Sequence, residues 1–205
     1  FDVPLQSEEN FDNTPERVYN ALPSAVMFNF QATRFLISPD SANNKVEITS
    51  FPEVPALEIT NEMVLKEGRC AANNYTPMFM RQGSDAMLIR GNYSADCGQQ
   101  FIMRLMSNPV NHAANAFRQF WKQLGGTISG VGQAGQVQAG DELFYTYYSP
   151  PLVDQIRSIN KWSNNVMTRQ LLLGLGAKAL GTPGTPIKGA QAVQSFLAQS
   201  GINTQ

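Results

Sequence analysis

Ser163-Asn164-Asn165 is a hydroxyl-x-amide triplet set between two segments patterned as helices. Upstream, Pro150-Pro151 opens an apolar series, Leu152, Ile156 and Ile159, at helical spacing. Downstream, Val166-Met167 and Leu171-Leu172-Leu173 run on to Gly174 and Gly176, which read as helix stops. The triplet therefore falls at a corner between helices, where a hydroxyl and an amide can face one cavity. The competing reading is structural: Ser163 as an N-cap, its oxygen taking an orphan backbone N–H of the first turn.

Other residues able to do chemistry are few. Ser158-Ile159-Asn160-Lys161 fits a Ser-x-x-Lys pattern, and on a helix its two ends lie one turn apart. The single histidine, His112, sits within a helical pattern and reads as a surface or hydrogen-bond-satisfied residue. Cys70 and Cys97, even with His112, leave a four-coordinate zinc site incomplete. Two independent buried thiols and one disulfide both remain open for them. No metal or organic cofactor is implied.

Composition excludes several classes. Hydrophobic content of 42% and charged content of 15% are those of a globular protein with a real core. A net charge of −1, with no Lys/Arg cluster, gives no electrostatic case for nucleic acid. The longest apolar run, Leu171 to Leu180, is broken by two glycines and Lys178 and is too short for a membrane span. A start at Phe1, without initiator Met or signal peptide, suggests a processed or truncated chain.

The elements that must position the triplet follow from periodicity. Residues 1–18 read as a polar arm. Val26, Phe28 and Phe30 alternate, Phe35-Leu36-Ile37 follows, turn residues fill 39–44, and Val46 to Thr49 resumes, so 25–50 reads as a β-hairpin or meander. Short strands are expected at 56–60, 78–81, 86–90 and 91–94, in a thin antiparallel module holding both cysteines. Gln100 to Met106 alternates again. Val110, Ala113, Ala114, Phe117, Phe120, Trp121 and Leu124 form a helical stripe ended by Gly125-Gly126. Thr127 to Gly140 suggests a weak strand and turn, and a last helix is expected over 187–199.

Asn160-Lys161-Trp162-Ser163-Asn164-Asn165, with Met167, Gln170, Leu171 and Leu175-Gly176, resembles the D-alanyl-D-alanine carboxypeptidase/endopeptidase family, the class C low-molecular-mass penicillin-binding proteins. Tyr19-Asn20-Ala21-Leu22-Pro23-Ser24-Ala25 with Asn29-Phe30, and Leu197 to Ile202, are similar to further stretches of that family. The likeness spans nearly the whole chain. The implied fold is α+β: a sheet-and-helix subdomain from 1–45 and 100–140, an inserted antiparallel β module at 46–99, and at 141–205 a helical portion of a β-lactamase/transpeptidase-like domain. That portion would lack its usual sheet and should expose apolar helix faces.

The resemblance also implies chemistry. The family cleaves D-Ala-D-Ala termini or peptide cross-links of peptidoglycan through an acyl-enzyme, is acylated by β-lactams, and works in the periplasm. Its Ser-x-x-Lys supplies nucleophile and base, its Ser-x-Asn a proton-shuttling hydroxyl and a substrate-binding amide, and its Lys-Thr-Gly a cation for the substrate carboxylate. Ser163 and Asn165 would be the second motif, with Lys161 supporting Ser163; Asn164 departs from the Asp often found there. Ser158 ends its pattern too close to Ser163 to be the family's nucleophile, and no Lys-Thr-Gly is present. The chain is thus expected to be an internal piece that does not acylate alone. A Cys70–Cys97 disulfide is implied as well. The alternatives are a non-catalytic periplasmic binding or scaffolding module on the same fold, and an unrelated α+β domain in which Ser163 only caps a helix.

Overall fold

The computed structural model describes residues 1, 12–51, 57–83 and 85–202. Most of the expected N-terminal arm, and the first residue of the strand expected at 56–60, lie outside the described residues. By contact the chain forms two units, residues 12–21 with 26–133 and residues 22–25 with 134–202. The fold is α+β.

The first unit is built on two three-stranded sheets. β1 (Ala32–Asp40) pairs antiparallel with β2 (Lys45–Phe51) and with β6 (Gln100–Leu105), in the order β2-β1-β6. The β1–β2 turn is set by Asp40, whose carboxylate accepts from the backbone and side-chain amides of Asn43, while Asn44 takes φ 50°. Val46 to Phe51, expected in the inserted module, belongs to this sheet.

The second sheet has the order β3-β5-β4, from β3 (Glu58–Lys66), β4 (Met78–Arg81) and β5 (Ala86–Ser94). It is not wholly antiparallel: β4 pairs antiparallel with β5, but β3 runs parallel to it. The short β4–β5 connection forces a hairpin, whereas the longer 67–77 connection carries the chain across to the far side of β5. Alternation marks a strand and says nothing about its neighbour. β5 is also one strand where a break at Gly91 was expected. Gly91 has φ 126°, which L side chains rarely adopt, and a Cβ there would lie 2.0 Å from the Thr76 carbonyl oxygen, so both backbone and space require glycine.

Phe35, Ile37 and Val46 from the first sheet meet Phe79, Met87, Ile89 and Tyr93 from the second in one buried cluster. The Phe35 and Phe79 ring centroids are 5.4 Å apart. Burial of each such side chain stabilises by roughly 2–3 kcal/mol. The Cys70–Cys97 disulfide joins residues 27 apart in sequence beside this cluster. Closing a loop of that size contributes about 3 kcal/mol in the chain-entropy model.

Several expectations fail between the sheets and the helices. Residues 26–31 form no strand, because Asn29, Phe30 and Gln31 have φ of 46°, 53° and 58°. Phe28 instead packs on α1 (Pro109–Gln123), against His112 and Phe120. On α1 the buried residues are His112 and Ala116, while Phe117, Trp121 and Leu124 of the expected stripe are exposed. His112 is therefore neither a surface residue nor fully satisfied. Burial lowers its pKa, partly offset by a hydrogen bond with the Phe28 backbone, and its Nε2 has no partner among the described residues. Residues 127–140 hold no strand.

The second unit is helical: α2 (Leu152–Trp162), α3 (Asn165–Leu180) and α4 (Pro186–Gln199). Leu152, Val153, Ile156, Ile187 and Phe196 are exposed. Among the described residues no helix is long and apolar enough to cross a membrane. α3 does not stop at Gly174 or Gly176 but runs through both. Gly176 is instead a contact: a Cβ on it would sit 2.5 Å from Gly189 N, and one on Gly189 would sit 2.5 Å from the Leu172 carbonyl oxygen. The two helices touch backbone to backbone there.

That contact separates two glycines of one helix. Gly176→Ala should destabilise the protein by about 1–3 kcal/mol through overpacking. Gly174→Ala, with nothing within 4 Å of its Cβ, should stabilise it by about 0.5–1 kcal/mol. Urea denaturation of the two variants measures both signs.

Candidate active site

α2 is oriented by charge as well as pattern. Asp154 stands in its first turn, paired with Arg157 at 2.7 Å, and Lys161 stands in its last, each sign matching the helix dipole. The helix ends because Ser163 turns left-handed, at φ 49° and ψ 48°. That turn lets the N–H groups of Ser163 and Asn164 both donate to the Ile159 carbonyl, the latter at 3.0 Å. Ile159 is itself buried, which fixes the corner to the core of its unit.

α3 begins at once. The cap is Asn164, not Ser163: its side-chain oxygen accepts from Met167 N at 3.0 Å. The structural reading of Ser163 as an N-cap is thus overturned by its left-handed backbone, which places it at the end of the preceding helix. Ser163 and Asn165 are both exposed, and neither side chain has a hydrogen-bond partner among the described residues. The middle residue is committed to the helix, and the two flanking side chains are unengaged among the described residues. A non-glycine residue in the left-handed region costs roughly 1 kcal/mol, and such strain gathers at functional sites.

Lys161 stands in the last turn of α2. Its Nζ lies 5.4 Å from the Trp162 ring centroid, and no hydrogen bond joins it to Ser163 among the described residues. Ser158 is exposed on α2.

Two motifs far apart in sequence meet in this unit. Gln170 Nε2 of α3 donates to the Ser24 carbonyl at 2.7 Å, across 146 positions. The residues just before Ser24 have their own anchor: the Asp12 carboxylate accepts from Thr14 Oγ1, Tyr19 Oη and Asn20 Nδ2 at 2.6, 2.6 and 2.9 Å. The Thr14 hydroxyl first, then Tyr19, holds the Asp12 pKa well below the ordinary carboxylate value. Sequence reasoning passed over Asp12 and Thr14, since short-range side-chain bonding of this kind has no periodic signature.

The family model of the D-Ala-D-Ala carboxypeptidase 3 (S13) family matches residues 1–205. The chain belongs to that family. Among curated proteins no relative matches the sequence. Of solved structures, penicillin binding protein 4 (dacB) from Haemophilus influenzae is similar over 92% of this chain, with a TM-score of 0.66 and 18% identity. The same protein complexed with a novel β-lactam gives a TM-score of 0.70 over 90% of this chain, at 18% identity. This chain covers 41% and 42% of the two solved chains. At this identity the likeness is one of fold. An Asp in place of Asn164 would cap α3 with the same geometry.

Asn164→Ala should therefore lower stability by about 1 kcal/mol, while Asn164→Asp should hold it or raise it slightly at neutral pH, since an anion suits the start of a helix. Thermal unfolding of the three proteins checks both outcomes.

Proposed function

We propose that these residues supply one wall of the cleft of a periplasmic serine DD-peptidase, which cleaves D-Ala-D-Ala termini and/or peptide cross-links of peptidoglycan. Family membership supports the reaction class, and one observation supports the assignment of residues. Ser163 and Asn165 stand exposed and unengaged on either side of an Asn164 that is spent on capping α3. Such a corner presents a hydroxyl and an amide on a rigid backbone.

In this reading a serine hydroxyl attacks the carbonyl of the penultimate D-Ala. Its proton passes to the departing amine of the terminal D-Ala, and water then releases the acyl group from the serine. Ser163 relays the proton, and the Asn165 amide holds the backbone of the substrate peptide. Lys161, swung from the Trp162 ring, would bring a cation beside Ser163. β-Lactams would enter as acylating analogues of the same peptide. Apart from Ser158-Ile159-Asn160-Lys161, which lies too close to Ser163 to be the family's nucleophile, these 205 residues hold no Ser-x-x-Lys, and they hold no Lys-Thr-Gly, so they are not expected to acylate unaided.

Incubation with a fluorescent penicillin, followed by intact-mass measurement, tests this. The 205 residues should give no covalent adduct. A chain that also carries Ser-x-x-Lys and Lys-Thr-Gly segments should label stoichiometrically, and Ser163→Ala in that chain should slow acylation by about 100-fold. An adduct on the 205 residues that maps to Ser158 or Ser163 would overturn the assignment, as would unchanged acylation in the Ser163→Ala variant.

A further inference from the structure

His112 is the chain's single histidine and is buried on α1. The Phe28 ring packs on it with centroids 6.0 Å apart, and meets Phe120 of the same helix at 5.9 Å. The imidazole shares a hydrogen bond with the Phe28 backbone, in the sense that favours the protonated ring. Its Nε2 is buried with no partner among the described residues. A neutral imidazole needs only one N–H donor, so it can leave the other nitrogen bare. A protonated one carries an N–H on both nitrogens and a full charge. Beside the Phe28 and Phe120 rings that second N–H meets no acceptor, and an uncompensated buried charge is strongly disfavoured.

The segment that Phe28 fastens to α1 is itself strained. Asn29, Phe30 and Gln31 follow it at φ 46°, 53° and 58°, three successive non-glycine residues in the left-handed region. Such a run persists only where surrounding contacts impose it, and the seat of Phe28 on His112 and Phe120 is one of those contacts. Residues 26–31, Val-Met-Phe-Asn-Phe-Gln, contain no titratable side chain. On α1, Arg118 is turned to Asn115 and the Gly130 carbonyl, and Lys122 stands in the last turn. Asp85, between β4 and β5, reaches the helix through Asn111 at 3.1 Å. The influences on the His112 pKa are burial, which lowers it, and then the Phe28 backbone bond, which raises it; no charged group is among them.

We propose that His112 is an acid-sensitive clasp: protonation of its imidazole releases residues 26–31 from α1 and lets the left-handed run relax, while the two sheets stay folded. The sign follows from linkage. The closed segment favours the neutral ring, so the open form binds more protons once pH falls below the ordinary histidine value of 6.5. The clasp is therefore at full strength above that pH. It weakens as pH falls, by as much as about tenfold per pH unit for one proton, and levels off below the pKa of the closed form. The device is independent of the peptidase reading and does not involve Ser163.

Hydrogen exchange at the Gln31 and Ala32 amides, which bond to the Phe28 and Asn29 carbonyls, tests it between about pH 8 and about pH 5. With the intrinsic pH dependence of exchange removed, the opening of these amides should rise below pH 6.5 with a slope of at most one proton, while amides of the β1–β2 pair keep their protection. The ring resonances of the lone histidine should titrate in the folded chain with a midpoint below 6.5, a readout that needs no variant. His112→Gln, which cannot be charged, should abolish the rise, and Asp85→Asn should leave it in place. Opening that ignores pH, a ring midpoint at or above 6.5, or a β1–β2 pair that loses protection in step overturns the proposal. So does a rise that survives His112→Gln or vanishes in Asp85→Asn.

Discussion

The carbonyl of Ile159 is where the candidate site is decided. It receives the N–H of Ser163 and that of Asn164, and this double acceptance is possible only because Ser163 turns left-handed. α2 must then stop, Asn164 is left in an extended conformation suited to capping, and α3 can start one residue later. Ile159 is buried, so the corner does not drift with solvent-exposed side chains. A hydroxyl and an amide are thereby held by backbone bonds rather than by bonds of their own.

The first unit rests on a different principle. Its two three-stranded sheets bury their apolar faces in one shared layer around Phe35 and Phe79. Phe79 is used twice, since its ring also carries the Arg104 guanidinium. The same packing that closes the core therefore fixes a cation near the surface. The disulfide adds a constraint on the unfolded chain in the segment that crosses from β3 to β4.

What could be read in advance follows from the range of the forces involved. Helices α1, α2 and α4 were visible because capping residues, prolines and apolar spacing act within a few positions: Asn108 and Thr185 cap as their types suggest. The run of α3 through two glycines was not visible, because its reason lies on α4, where Gly189 allows the backbones to meet. The parallel placement of β3, the burial of His112 and the left-handed run at Asn29 to Gln31 are likewise set by tertiary neighbours. At the corner the sequence marked the break between two helices but exchanged two capping roles. Ser and Asn both cap helices, and only the backbone torsion at position 163 tells which of them does.

That torsion sets two demands on one residue in opposition. Glycine would adopt φ 49° and ψ 48° without the steric penalty that a Cβ brings. Serine there keeps a hydroxyl at the expense of backbone ease, at a position where none of the described residues bonds to that hydroxyl. A chain selected for rigidity alone would drift toward glycine at 163, and one selected for its chemistry would resist.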